Sequence, residues 1–193
     1  MWRCVIVKEF YPMTIAGLER RLPLCPISDG LYIGAFVIFG DPELTTACAA
    51  ELNRRCPEHD VLITAESKGI PLVCEMARLN GNERYVLARK SEKLYMRNVF
   101  SAEVRSITTG HAQTLYLDGA DADYLRGKRV VIVDDVISTG ESLRALEALV
   151  TRAGGEIAGR MAILAEGDAA KRSDLIYLEK LPLFDREGNP IED

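Results

Sequence analysis

Four short segments of this chain are apolar, or threonine, at every position: Val-Leu-Ile-Thr at 61–64, Tyr-Val-Leu-Ala at 85–88, Val-Val-Ile-Val at 130–133 and Met-Ala-Ile-Leu-Ala at 161–165. A strand with one face in water alternates apolar and polar residues, so a run without alternation describes a strand buried on both faces. Helix-like patterns precede the first run and follow the first and the third, over 41–55, 70–79 and 141–153. Strands of this kind alternating with helices predict an α/β domain: a central, mostly parallel sheet flanked by helices.

The flanking segments fit around that frame. Residues 5–7 read as a short strand, Pro23 and Pro26 as punctuation of a loop, and 31–39 as one buried strand or two extended pieces around Gly34. Asp41-Pro42-Glu43 opens the first helix, with acids where the helix dipole favours them. A hairpin is expected over 104–117, with Thr109-Gly110-His111 near its tip, and a further strand over 174–179. Gly154-Gly155 closes the last helix. Its start offers two caps: Ser138 with Glu141 as a capping box, or Thr139.

Composition removes several classes of function. At 193 residues the chain is expected to form a single domain over 1–193, and a net charge of -5 with a pI near 5.2 lacks the basic face of a nucleic-acid binder. No apolar stretch is long enough to span a bilayer, and the N-terminus has no signal-peptide pattern, so a cytoplasmic protein with no membrane partner is expected. The five cysteines, Cys4, Cys25, Cys48, Cys56 and Cys74, form no C-x-x-C pair and read as reduced thiols. His59 and His111 are too far apart in sequence to suggest a metal site.

In open α/β sheets ligands gather beyond the carboxyl ends of the strands. Three runs here end in polar turns: Ala-Glu-Ser-Lys-Gly at 65–69, Ala-Arg-Lys-Ser-Glu-Lys at 88–93, and Asp-Asp-Val-Ile-Ser-Thr-Gly-Glu-Ser at 134–142. The last sets two acids side by side. Like charges 4 Å apart repel by about 1 kcal/mol even in water. Asp134 and Asp135 could lie in a solvated turn, or they could serve a donor-rich ligand. The turn that follows them, at a helix N-terminus and rich in backbone N–H groups and small hydroxyls, suits a phosphate. Phosphate on the turn and sugar hydroxyls on the acids describe a pocket for a phosphorylated sugar.

The segment VVIVDDVISTGES closely resembles the phosphoribosyl-pyrophosphate binding motif of type I phosphoribosyltransferases. That resemblance implies that Asp134 and Asp135 address the ribose hydroxyls, and that Ile137, Ser138, Thr139, Gly140, Glu141 and Ser142 hold the 5'-phosphate. Glu66, Ser67, Lys68 and Gly69 are similar to the pyrophosphate loop of the adenine enzymes, with Lys68 where arginine is usual. A lysine keeps the charge and loses the two-pronged fork. Arg89, Lys90 and Lys93 look like the start of the catalytic loop of the adenine and xanthine branches, which stabilises the departing pyrophosphate. The resemblance runs over roughly 30–165.

It implies a purine phosphoribosyltransferase of nucleotide salvage, with the adenine type ahead of the xanthine or orotate types. The implied partners are phosphoribosyl pyrophosphate and a nucleobase, with magnesium brought in through the substrate, in a homodimer. Residues 89–117 would form a mobile lid, and the N- and C-terminal segments a small base-binding hood or the dimer interface. Glu103 is the candidate for proton handling in the lid. Ser138 stands where the hypoxanthine-guanine branch has an aspartate, which speaks against that branch. A non-catalytic regulator that only senses phosphoribosyl pyrophosphate is the alternative from another class; the few residues before the domain and the acidic charge count against it.

Overall fold

A computed structural model describes residues 8–105 and 112–191. The expected strand at 5–7, Cys4 and the tip residues Thr109, Gly110 and His111 lie outside the described residues.

The unalternating runs form the centre of a five-stranded parallel sheet: β4 (Val61–Ala65), β5 (Val86–Ala88), β8 (Arg129–Ile137), β9 (Glu156–Glu166) and β10 (Ile176–Leu181), in the order β10-β9-β8-β4-β5. Every residue of β4 is buried, as are seven of the nine in β8. Helices α1 (Pro42–Arg55) and α2 (Ile70–Asn80) cover one face, where Leu44, Leu52, Leu72 and Met76 pack with Leu62, Val131 and Ile163. The other face receives α4 (Glu141–Ala153) and the hairpin β6 (Phe100–Arg105)–β7 (Ala112–Leu117), through Leu146, Leu149, Leu115 and Leu117. Full burial of side chains this size contributes about 1.5–3 kcal/mol each.

Helix boundaries follow local chemistry. The Asp41 carboxylate caps α1 by accepting from the Leu44 N–H at 3.0 Å, with Pro42 just inside. Arg20 then clamps Asp41 at 2.6 Å and Glu43 at 2.9 Å, fixing that helix start to β2 (Leu18–Ser28). Gly81 and Gly154 end α2 and α4 in the left-handed region, as the sequence predicts for Gly154.

A second, antiparallel sheet runs β1 (Phe10–Ile15), β2, β3 (Leu31–Gly34) and β11 (Leu183–Phe184), so the first and last described strands lie in one layer. Here the sequence reading needs correction. Pro23 and Pro26 sit inside β2 rather than in a loop. β2 changes partner between Pro23 and Leu24, from β1 to β3, and slips register after Pro26; these are places where a missing N–H is tolerated. The 31–39 segment is a strand only to Gly34, after which Phe36 and Ile38 turn into the core and Val37 and Phe39 face out. The hairpin starts at Phe100, four residues before the expected 104. Helix α3 (Gly119–Leu125), capped by Asp118, was not anticipated.

Candidate active site

The order β8-β4-β5 makes neighbours of the three strands whose ends looked functional, and their turns converge. Asp134 and Asp135 still belong to β8, and Asp134 pairs with Ala162 of β9. Both carboxylates are buried, at 8% and 4% exposure.

Donors gather on Oδ1 of Asp134. The Ser67 hydroxyl donates to it at 2.9 Å, and the Asp135 N–H at 3.0 Å. Asp135 faces Lys68, whose Nζ lies 3.2 Å from Oδ2. That contact lacks hydrogen-bond alignment, so among the described residues Oδ2 of Asp135 has no hydrogen-bond partner in its buried position. The Lys68 ammonium donates instead to the Phe36 carbonyl at 2.7 Å, tying the 66–69 turn to the segment after β3. Burial first, and the neighbouring Asp135 charge second, push the Asp134 carboxyl up to about 7.

Gly69 starts α2 in tight quarters: a Cβ there would lie 2.8 Å from the Thr64 hydroxyl and 2.9 Å from Oδ1 of Asp134. Thr64 itself is fully buried, and its Oγ1 has no hydrogen bond among the described residues.

Beyond the acids the expected capping box is not made. Gly140 occupies the cap of α4 at φ 73°, and neither Ser138 nor Thr139 caps the helix. The first-turn amides are thereby left without a side-chain cap, beside a recess of about 130 Å³ lined by Asp134 and residues 136–143. The left-handed backbone at Gly140 explains the glycine. Arg144 braces the bend from outside by donating to the Thr139 carbonyl at 3.1 Å.

Glu66 organises the third turn. It accepts from the Lys90 N–H at 3.1 Å and from Arg89 at 3.3 Å, and it lies 3.4 Å from the Lys93 ammonium. The backbone bond to Lys90, burial notwithstanding, holds its carboxyl below the usual range. Arg89 also exchanges two backbone bonds of 2.8 Å with Tyr116, which roots the hairpin at the end of β5. Glu103 is not brought to this cluster: it stands exposed on β6 opposite Thr114, outside the 134–143 recess.

The sequence reading passed over Thr64, the Phe36 carbonyl, Arg144 and Glu166. Only Glu166 left a signal, as a charge at the carboxyl end of an apolar run, the same mark that exposed Asp134. Among the described residues Cys25, Cys48, Cys56 and Cys74 are free thiols, and burial pushes Cys48 up to about 12 and Cys56 up to about 11. Among the described residues no helix is long and apolar enough to cross a membrane.

Residues 44–181 match the profile of the phosphoribosyl transferase domain. A hypoxanthine/guanine phosphoribosyltransferase from a Methanocaldococcus species is 33% identical over 163 residues, 80% of this chain and 79% of that protein. The Methanococcus vannielii protein of the same name is 34% identical over 78% of this chain and 81% of its own length. Among solved structures, adenine phosphoribosyltransferase from Thermoanaerobacter pseudethanolicus superposes with a TM-score of 0.68 at 23% identity, covering 82% of this chain and 95% of that one. The Saccharomyces cerevisiae enzyme gives 0.67 at 23%, over 81% and 93%. At these identities the solved structures establish the fold, whereas the profile and the curated relatives establish kinship: this chain belongs to the type I phosphoribosyltransferases, a family of enzymes.

Proposed function

We propose that the protein transfers the 5-phosphoribosyl group of phosphoribosyl pyrophosphate to a purine and releases pyrophosphate. The observation that carries this reading is the adjacency, at the carboxyl ends of β8 and β4, of a buried acid pair, a helix start with no side-chain cap among the described residues and a cationic turn. In it the amides of 138–142 take the 5'-phosphate, Asp134 and Asp135 accept from the ribose hydroxyls, and residues 66–69 hold the pyrophosphate. The sugar ring gains positive charge in the transition state as negative charge grows on the leaving group, so fixed acids beneath the ring and cations beside the leaving group are what the reaction needs. Arg89, Lys90 and Lys93 supply the cations. The closing segment in this reading is 90–98, because the hairpin behind it is rooted through Leu115 and Leu117 in the core.

Among the described residues no group of three or more His, Cys, Asp or Glu side chains could hold a metal. In the proposed reading magnesium enters on the substrate's own oxygens. There the ion would neutralise the pyrophosphate.

The acceptor divides the relatives: the similar solved structures are named for adenine, the curated sequences for hypoxanthine and guanine. The sequence reading put adenine ahead. Identity of 33–34% against 23% weights the names toward a 6-oxopurine. The test is pyrophosphate release with adenine, guanine, hypoxanthine, xanthine and orotate. Release with a purine supports the proposal; tight phosphoribosyl-pyrophosphate binding with no turnover on any base sinks it in favour of a sensor.

Lys93→Ala is expected to lower kcat by roughly 10- to 100-fold while KM for phosphoribosyl pyrophosphate stays within about threefold, since it acts on charge that develops late. An equal loss in both would place Lys93 in ground-state binding.

Binding should also depend on pH with a definite sign. The ionised form of Asp134 accepts hydroxyl donors, so ribose 5-phosphate affinity rises with pH until the carboxyl has titrated, near 7. Below that point the change approaches about tenfold per pH unit. Calorimetry between pH 6 and 8 checks it. Asp134→Asn keeps only the shallower dependence due to the phosphate's own ionisation near pH 6.

A further inference from the structure

Strand order divides the space above the acid pair into two flanks. β4, which carries the 66–69 turn, lies on one side of β8, and β9 lies on the other. If the pyrophosphate leaves over β4, displacement at carbon 1 of the ribose brings the acceptor in from the opposite flank, over the end of β9. The last residue of β9 is Glu166.

Its direction follows from the two-residue repeat of a strand. The alternation of β9 slips by one residue at Ile163-Leu164, which both pack in the cluster that contains Phe36, Leu72 and Leu181; beyond the slip Ala165 packs in the opposite cluster, so Glu166, next along, projects to the Phe36 face at its carboxyl rim. Phe36, whose carbonyl holds Lys68, lies on that face too. Glu166 is half-buried, and no described residue gives it a hydrogen bond or an ion pair. Burial pushes its carboxyl up, and the Lys68 charge only partly offsets that. A carboxylate so placed calls for N–H donors from a ligand.

We propose that Glu166 reads the acceptor base and selects guanine, through two parallel hydrogen bonds from N1–H and the exocyclic amine to the two carboxylate oxygens. This rests on the transferase reading given above. Guanine presents two donors side by side, the arrangement a carboxylate accepts in bidentate fashion. Hypoxanthine offers one of them. Adenine offers one donor beside an acceptor nitrogen, which a carboxylate repels. A side-chain amide inverts the preference: glutamine accepts from the adenine amine and donates to adenine N1.

The test compares wild type with Glu166→Gln on guanine, hypoxanthine and adenine by kcat/KM, and measures Kd for GMP and AMP by calorimetry, a readout that needs no turnover. Wild type is expected to rank guanine first. The variant should lose about 100-fold on guanine, gain on adenine, keep its KM for phosphoribosyl pyrophosphate, and shift the GMP-to-AMP affinity ratio in the same direction. A variant with an unchanged guanine-to-adenine ratio and an unchanged GMP-to-AMP ratio overturns the role of Glu166 and leaves the transferase standing. Wild type that ranks adenine first overturns it as well. Failure of wild type to turn over any purine removes both readings.

Discussion

The double substitution Asp134→Asn, Asp135→Asn is expected to reduce kcat/KM for phosphoribosyl pyrophosphate by about two to four orders of magnitude. Each carboxylate that accepts a ribose hydroxyl makes a charge-assisted bond worth about 1.5–3 kcal/mol, and the pair also faces the positive charge that builds on the ring. Asparagine keeps the shape and removes the charge. The fold should not suffer. Asp134 has a raised carboxyl in the folded state, so its favourable contribution is complete below the unfolded value of 3.8 and is lost as pH rises through about 7. At pH 8 the native pair holds repelling, desolvated charge, and the double variant should melt at the same temperature as wild type or higher. Steady-state kinetics with thermal melting at pH 8 separates the two effects. Retained turnover would remove the pair from sugar binding; lost turnover with a collapsed melting temperature would make it structural.

Gly69→Ala is the second large effect. The new methyl group meets the Thr64 hydroxyl at 2.8 Å, Oδ1 of Asp134 at 2.9 Å and the Asp134 Cα at 3.2 Å. None of these is the loose end of a long side chain. Asp134 is fixed in the β8 ladder, and Thr64 is buried in β4. The turn carrying Ser67 and Lys68 must therefore lift away from the acid pair, at a cost of about 1–3 kcal/mol in stability. The bond from Ser67 to Asp134 lengthens with it, so pyrophosphate and ribose recognition fail together, and kcat/KM should fall by at least about 100-fold. The pair Gly69→Ala, Thr64→Ala is an internal check. Removing the Thr64 hydroxyl takes away the atom nearest the new methyl group, and a partial return of both melting temperature and activity is expected. Wild-type kinetics in Gly69→Ala would mean that the turn does not need its close approach.

Several parts of this arrangement were legible in the amino-acid order. Runs without alternation named the central strands, because burial on both faces leaves no room for polar residues. Asp41-Pro42-Glu43 named a helix start, because a cap, a fixed φ and a favourable charge coincide there. The N-terminal hairpin was not read. Ile15 and Leu18 face each other across Ala16-Gly17, and both turn residues adopt positive φ. That is the twist a two-residue hairpin turn needs, but alanine is not the residue that signals it, and Pro23 and Pro26, read as loop punctuation, argued against sheet. The Ser138–Glu141 pattern misled for a different reason. A helix start committed to leaving its amides uncapped breaks the local rule that the sequence displays, and sites are where such rules are broken. Glu166 escaped because a single charge at a strand end has meaning only once the strand order is known.

The acid pair is part of a β ladder and not of a loop, and this sets which edits the chain can absorb. The 90–98 turn can change length and still return to its strand, whereas 66–69 is held against the pair by Ser67 and the close approach of Gly69. One residue inserted between Arg129 and Val133 reverses the facing of everything downstream in β8, sending each carboxylate to the opposite layer. On the transferase reading proposed above, pentose recognition is thus the least editable property of this scaffold.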